Sequence, residues 1–219
     1  MDCSNCPSQV CQVRQKDDLP DFCPMLDSQL IKKGVDEYKL GDNEKFYADS
    51  LISMGQSAGG RMPRIIEAVN FCRIRGYKKI GVAYCSGMLK FGRAVTDVFK
   101  SYGFEVVSCG CKTGGFGPEE LVDESLLNGF GKRNPPPAKS ESAARKPRAM
   151  CNPIGQAILL NNEGTDFNVI AGLCVGHDSL FIKYSNAPCT TVVLKDRLYP
   201  AQCAPSIEAA ASYGPLPEN

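Results

Sequence analysis

KIGVAYCSGMLKFGRAVTDVFKSYGFEVVSC, residues Lys79–Cys109, is the stretch on which the fold class turns. Lys79–Cys85 is a short apolar run of the kind that forms a fully buried strand, and Ser86-Gly87 turns the chain. Leu89–Tyr102 then carries Phe91, Val95, Val98 and Phe99 at helical spacing, and Gly103 stands where a helix ends in a left-handed residue. Phe104–Cys109 is a second strand, running into Gly110-Cys111. Strand, helix and strand in so short a span form a βαβ unit, so the two strands are parallel and the crossover is right-handed.

The same alternation continues on both sides. Towards the C-terminus, Asn152 is a good N-cap and Pro153 a good first residue for a helix to about Asn161, which Gly164 closes. Asn168–Leu180 (NVIAGLCVGHDSL) supplies a third strand, Val169–Leu173, and Gly172 and Gly176 then bracket Cys174 in a sharp strand-to-helix turn. Asp178–Tyr184 reads as a brief helix and Thr190–Lys195 as a fourth strand, while the tail from Asp196 wraps the surface. Towards the N-terminus, Pro63 opens a helix through Arg75 with the stripe Ile65, Ile66, Val69 and Cys72, after a glycine-rich break at Ser57–Arg61. Glu44–Gly55 is helical, 25–43 is a connector without periodicity, and Glu119–Leu127 reads as one helix. Gly131–Arg148, basic and rich in proline and serine, is a flexible insertion. The expectation is an α/β domain over residues 44–219, with a small, mainly parallel sheet of about four strands and helices on both faces. A cysteine-rich metal-binding segment, residues 1–24, precedes it.

Net charge is +1 and charged residues make up 22%, which leaves no electrostatic footprint for nucleic acid. No apolar run has the length of a membrane span, and MDCSNCPSQVC lacks the regions of an export signal, so a cytoplasmic protein is expected. Against that background twelve cysteines stand out. In a reducing compartment clustered thiols bind metal or do redox chemistry more often than they form a disulfide scaffold. Cys3, Cys6, Cys11 and Cys23, with Pro24 behind them, sit in a segment with few apolar residues, which implies order lent by an ion. The irregular spacing and the final Cys-Pro favour an iron–sulfur cluster, [4Fe–4S], over zinc.

Parallel topology makes a further set of cysteines converge. Every strand of such a sheet points the same way, and ligands bind at the carboxyl edge where strand order reverses. Cys85, Cys109, Cys111 and Cys174 end or follow strands, and Cys151 precedes a helix running back from the same edge. In the order 2-1-3-4, Cys85 and Cys174 flank the crevice. Helix N-termini favour thiolates, and Cys85, Cys151 and Cys174 each precede one. Cys72 and Cys189 belong to the opposite edge, Cys72 as a core residue, and Cys203 has no place in the pattern. Three readings follow. Cys85, Cys111, Cys151 and Cys174 hold a second cluster or act on a substrate beside the first, with His177, the sole histidine, as ligand or proton donor and an electron-transfer or metal-delivery protein as partner. In the second, zinc staples the N-terminal segment and Cys174 is the nucleophile of an enzyme. The third is a non-enzymatic metal carrier or sensor.

Two resemblances add to this. GLCVGHD resembles the nucleophile turn of class I glutamine amidotransferases and the cysteine form of the α/β-hydrolase elbow. Both need a separate, later histidine base, and none follows His177, so a Cys–His pair of that kind is absent and glutaminase activity is not expected. More broadly, the N-terminal cysteine run, GVAYCSG, CGCKTGG, CNPIGQAILLN, TDFNVIAGLCVGHDSL and APCTTVVLKDR together resemble a cysteine-rich family of unknown function from archaea and anaerobic bacteria. Its members are catalogued as uncharacterised metal-binding proteins, and the resemblance implies metal binding without a reaction.

Overall fold

The computed structural model describes residues 1–13, 17–57, 62–127 and 149–195. It divides into two compact units, Met1–Gly55 and Gln56–Asn219.

The first unit begins with three short 3-10 turns, Cys3–Asn5, Val10–Val13 and Pro24–Leu26, none of which buries a residue. Helices α1 (Ser28–Glu37) and α2 (Asn43–Ser57) follow. Helix α1 corrects the reading of 25–43 as a connector. Asp27 caps it by accepting the Leu30 N–H at 2.9 Å, and Lys32 pairs with Asp36 one turn on at 2.8 Å. Its apolar residues Leu30, Ile31 and Val35 fall at helical spacing but remain exposed.

The second unit holds a four-stranded, all-parallel sheet of order β2-β1-β3-β4. Its strands are β1 (Lys79–Tyr84), β2 (Glu105–Gly110), β3 (Phe167–Ala171) and β4 (Cys189–Val193). The helices are α3 (Arg64–Ile74), α4 (Leu89–Ser101), the short α5 (Pro118–Leu121), α6 (Pro153–Asn162) and α7 (Val175–Tyr184). Strand alternation sorts the core into two layers. Ile80, Val82, Phe167, Val169 and Ala171 face α3 and α4, while Ala83, Ile170 and Cys109 face α6 and α7 through Ala157, Leu160 and Phe181. Cys72 lies fully buried in the first layer, as a core residue.

Strands β3 and β4 begin one or two residues before the expected Val169 and Thr190, and three helix boundaries differ from expectation. Pro63 is the N-cap of α3 rather than its first residue. The helix expected over Glu119–Leu127 is broken: Val122 is extended, and Asp123 turns back to accept the Ser125 N–H at 2.9 Å, so only α5 and a 3-10 turn form. Helix α7 begins at Val175 rather than Asp178, directly after Cys174. The insertion at 131–148, the Gly59-Gly60 break, the tail from Asp196 and Cys203 lie outside the described residues.

Gly81 lets α6 approach the sheet. A Cβ there would stand 2.0 Å from Asn168 Oδ1 and 2.9 Å from Leu160 Cδ1. Asn168 is itself buried, accepting from Thr165 Oγ1 at 2.9 Å and donating to Ser185 Oγ at 2.8 Å, so it has no room to yield. Gly81→Ala is expected to destabilise the domain by about 1–3 kcal/mol, read as a lower midpoint in urea unfolding.

Candidate functional site

The site is built from what happens where β1 and β2 stop. Tyr84 and Gly110 are the last paired residues of the two strands, and the next residue on each is a cysteine. Cys111 N–H donates to Tyr84 O at 2.9 Å and Cys85 N–H to Ala171 O at 3.2 Å, so both positions remain tied to the sheet. Both side chains are buried in the α6–α7 layer, at 6% exposure for Cys85 and 1% for Cys111.

Their side chains are near enough to act on each other's titration as donor and acceptor. Cys85 as donor holds the Cys111 thiol below its ordinary range, supported by the Ser86 N–H, which donates to Cys111 Sγ at 3.3 Å, and by the nearby Ser86 Oγ. The same pairing, then burial, pushes Cys85 up, against the pull of Lys195, whose ammonium donates to Cys85 Sγ at 2.9 Å. Cys111 is thus the more readily ionised of the two. Cys109, two residues before Cys111, donates to Thr113 Oγ1 at 3.4 Å and Gly110 O at 3.8 Å, and burial raises its pKa.

Helix α6 closes the edge. Asn152 N–H donates to Cys111 O at 2.8 Å while its Oδ1 caps the helix at Gly155 N. One turn on, the fully buried Gln156 donates from Nε2 to Cys109 O at 2.7 Å and to Tyr84 O at 3.3 Å. Its Oε1 is buried without a partner. Cys151, immediately before Asn152, is half-buried and close enough to Cys111 to act on it electrostatically.

At the end of β3, Gly172 adopts φ +71°, and a Cβ on it would lie 2.3 Å from Met88 Sδ. Cys174 follows as the half-buried N-cap of α7, its carbonyl accepting from His177 N–H and Asp178 N–H, both at 2.8 Å. Burial lowers the His177 pKa; the Cys85 charge opposes this, and Lys195 and Lys112 reinforce it. His177 is therefore neutral at pH 7. With Met150, Cys151, Pro153, Ile154 and Leu180 it lines an apolar pocket of about 230 Å³.

Cys85, Cys109, Cys111, Cys151 and Cys174 thus share the carboxyl edge, and of these Cys85 and Cys111 stand opposed one step past the last rung of the β1–β2 ladder. Cys189 opens β4 opposite Asn168, at the other edge. Cys72 is sealed in the core and pushed up to about 12 by burial. In the first unit Cys3 and Cys11 are exposed and Cys6 and Cys23 half-buried. Among the described residues no three His, Cys, Asp or Glu side chains come together as a metal-holding group. Sequence reading missed Lys195, Ser86 and Gln156. Lys195 alone carried a signal, since it directly follows the apolar run of the fourth strand and so belongs to the same edge.

Asp178 stands in the first turn of α7 with Oδ1 buried and unpartnered, and desolvation raises its pKa to about 6. The helix N-terminus favours its charge, but by less than the burial costs. A carboxyl raised in the folded state binds a proton there that the unfolded chain releases down to its ordinary range. Stability contributed by Asp178 therefore rises as pH falls from 7 to 5, by about 1 kcal/mol. His177, lowered in the fold, works in the opposite direction. The comparison that isolates the effect is wild type against Asp178→Asn in urea titrations at both pH values, with the gain on acidification smaller in the variant.

Residues 23–192 match the family model described as "Protein of unknown function (DUF1847)". The chain is 37% identical over 198 residues to "Uncharacterized protein MJ0455" of Methanocaldococcus jannaschii, an alignment covering 90% of this chain and 89% of that protein. No solved structure matches significantly. The matched span includes Cys23 and every cysteine of the carboxyl edge, and it starts beyond Cys3, Cys6 and Cys11. The chain belongs to the DUF1847 family of proteins of unknown function.

Proposed function

We propose that this is a metal-binding thiolate protein. In this reading the leading cysteines hold an ion or cluster, with iron–sulfur favoured over zinc, and the carboxyl-edge cysteines carry thiol chemistry. The observation that carries the proposal is the delivery of Cys85, Cys111 and Cys151 from three separate segments to one edge facing Lys195 and a neutral His177. Cationic and N–H groups around buried sulfur suit thiolates, and thiolates are what metals and electrophiles meet.

The fit of the first unit to a metal rests on its donors and their surroundings. Gln9, at φ +47°, aims its N–H at Cys6 Sγ at 3.4 Å, and this bond lowers the Cys6 pKa. Cys3 and Cys6 flank one 3-10 turn, closed by Cys6 N–H donating to Cys3 O at 3.3 Å. An amide directed at sulfur suits a thiolate ligand, and Cys3, Cys11 and Cys23 are the further soft donors that binding would have to draw together. A bound cluster would supply one-electron redox chemistry. A zinc staple with Cys174 as nucleophile has less support, since the groups that stabilise anionic sulfur converge on Cys111.

Anaerobically purified protein is expected to be brown, to absorb near 400 nm, and to contain iron with matching acid-labile sulfide. Cys3→Ala should lose most of that iron. A colourless protein with stoichiometric zinc would replace the cluster by a zinc site. Protein free of both metals, purified without chelator, would end the metal reading.

A further inference from the structure

We propose that Cys85 and Cys111 form a reversible disulfide across the carboxyl ends of β1 and β2, as a two-electron site for a small hydroperoxide. The proposal rests on the reading of this edge as a thiol site and is independent of any metal at the N-terminal cysteines.

Geometry carries it. Cys85 and Cys111 occupy opposed positions one step past the last rung, Tyr84–Gly110, of a parallel ladder. Neighbouring strands lie about 4.8 Å apart, and disulfides span Cα separations of roughly 4.4–6.8 Å. The rung is locked by the Cys111-to-Tyr84 backbone bond on one side and by Gln156 on the other, so no backbone shift is needed to bring the chains together. Both side chains are buried in the same α6–α7 layer, Cys111 Sγ accepts from the N–H of Ser86, the residue after Cys85, and both are free thiols. Cys109, whose sulfur bonds Thr113 instead, lacks an opposed cysteine, since Ala83 faces it across the ladder.

The surrounding groups suit the two sulfurs to different steps. Ser86 N–H supports negative charge on Cys111 Sγ, and Lys195 sits on Cys85 Sγ. Cys111 Sγ attacks one oxygen of the hydroperoxide; an S–O bond forms, the O–O bond breaks, and the departing alkoxide takes a proton to leave as an alcohol. Cys85 Sγ then attacks Cys111 Sγ; the S–S bond forms, the S–O bond breaks, and the departing hydroxide takes the Cys85 proton to leave as water. Two thiols are oxidised by two electrons in all, and the hydroperoxide is reduced to alcohol and water. An external dithiol reverses the bridge by exchange. Burial of both sulfurs selects a small oxidant over a bulky disulfide. Asn152, which with Cys151 and His177 lines the apolar pocket, donates its N–H to Cys111 O at 2.8 Å, so the pocket borders the Cys111 backbone.

The test is peptide mapping of the full chain, reduced anaerobically, treated with hydrogen peroxide and alkylated without further reduction. The expected result is loss of alkylation at both Cys85 and Cys111, one cross-linked peptide joining them, and recovery of both thiols with dithiothreitol. In Cys85→Ser the reaction should stop at a Cys111 sulfenic acid, trapped by dimedone, and in Cys111→Ser the cross-link should be absent. If peroxide oxidises Cys111 or Cys151 in wild type without a Cys85–Cys111 cross-link, the bridge is wrong while the thiol site stands. If no carboxyl-edge cysteine reacts faster than Cys72, both the bridge and the thiol site are wrong. The wild-type map decides the matter even where a variant fails to fold.

Discussion

Where a parallel ladder stops, its terminal carbonyls and amides still need partners, and the buried Gln156 meets that need at the centre of this domain. Its amide binds Tyr84 O and Cys109 O together, clamping the ends of β1 and β2 at one level beneath α6. An unsatisfied buried carbonyl costs roughly 1–3 kcal/mol, so the strand ends and the start of α6 are fixed as one body. The residues that follow the clamped positions are Cys85 and Cys111. Their juxtaposition is a consequence of backbone hydrogen bonding, before any property of sulfur enters.

Sulfur chemistry at this edge is then set by a contest between burial and local donors. The layer formed by Ala157, Leu160, Ile170, Leu173 and Phe181 excludes water and favours neutral thiols. Cys72 and Cys109 submit to burial and are raised. Cys111 does not, because Cys85, Ser86 and the edge position itself direct hydrogen-bond donors at it. The first unit offers the reverse environment. Its cysteines sit in or beside short turns that bury nothing.

Much of this arrangement is legible in the chain. The βαβ reading of Lys79–Cys109 gives parallel strands, and parallel strands put Cys85, Cys111 and Cys174 on one edge and Cys189 on the other, as observed. Less legible were elements whose stabilisation is local or polar. Helix α1 is held by its Asp27 cap and exposed ion pair, with no apolar stripe buried, and the break at Val122 depends on an Asp123 turn that competes with helix. The opposition of Cys85 to Cys111 was also out of reach, because membership of an edge does not specify the register of neighbouring strands.

Leaving the strand order open, the sequence by itself determined that the strands run parallel and the edge to which Cys85, Cys109, Cys111, Cys151, Cys174 and Cys189 belong. Those follow from apolar periodicity and from the handedness of crossovers, both properties of short segments. Only the tertiary structure decided the register that opposes Cys85 to Cys111, the reach of Lys195 and Ser86 to those sulfurs, and the burial of Gln156 and Asp178. Such distances depend on how α6 and α7 seat against the sheet, and that seating is set by close packing at Gly81 and Gly172 rather than by any pattern along the chain.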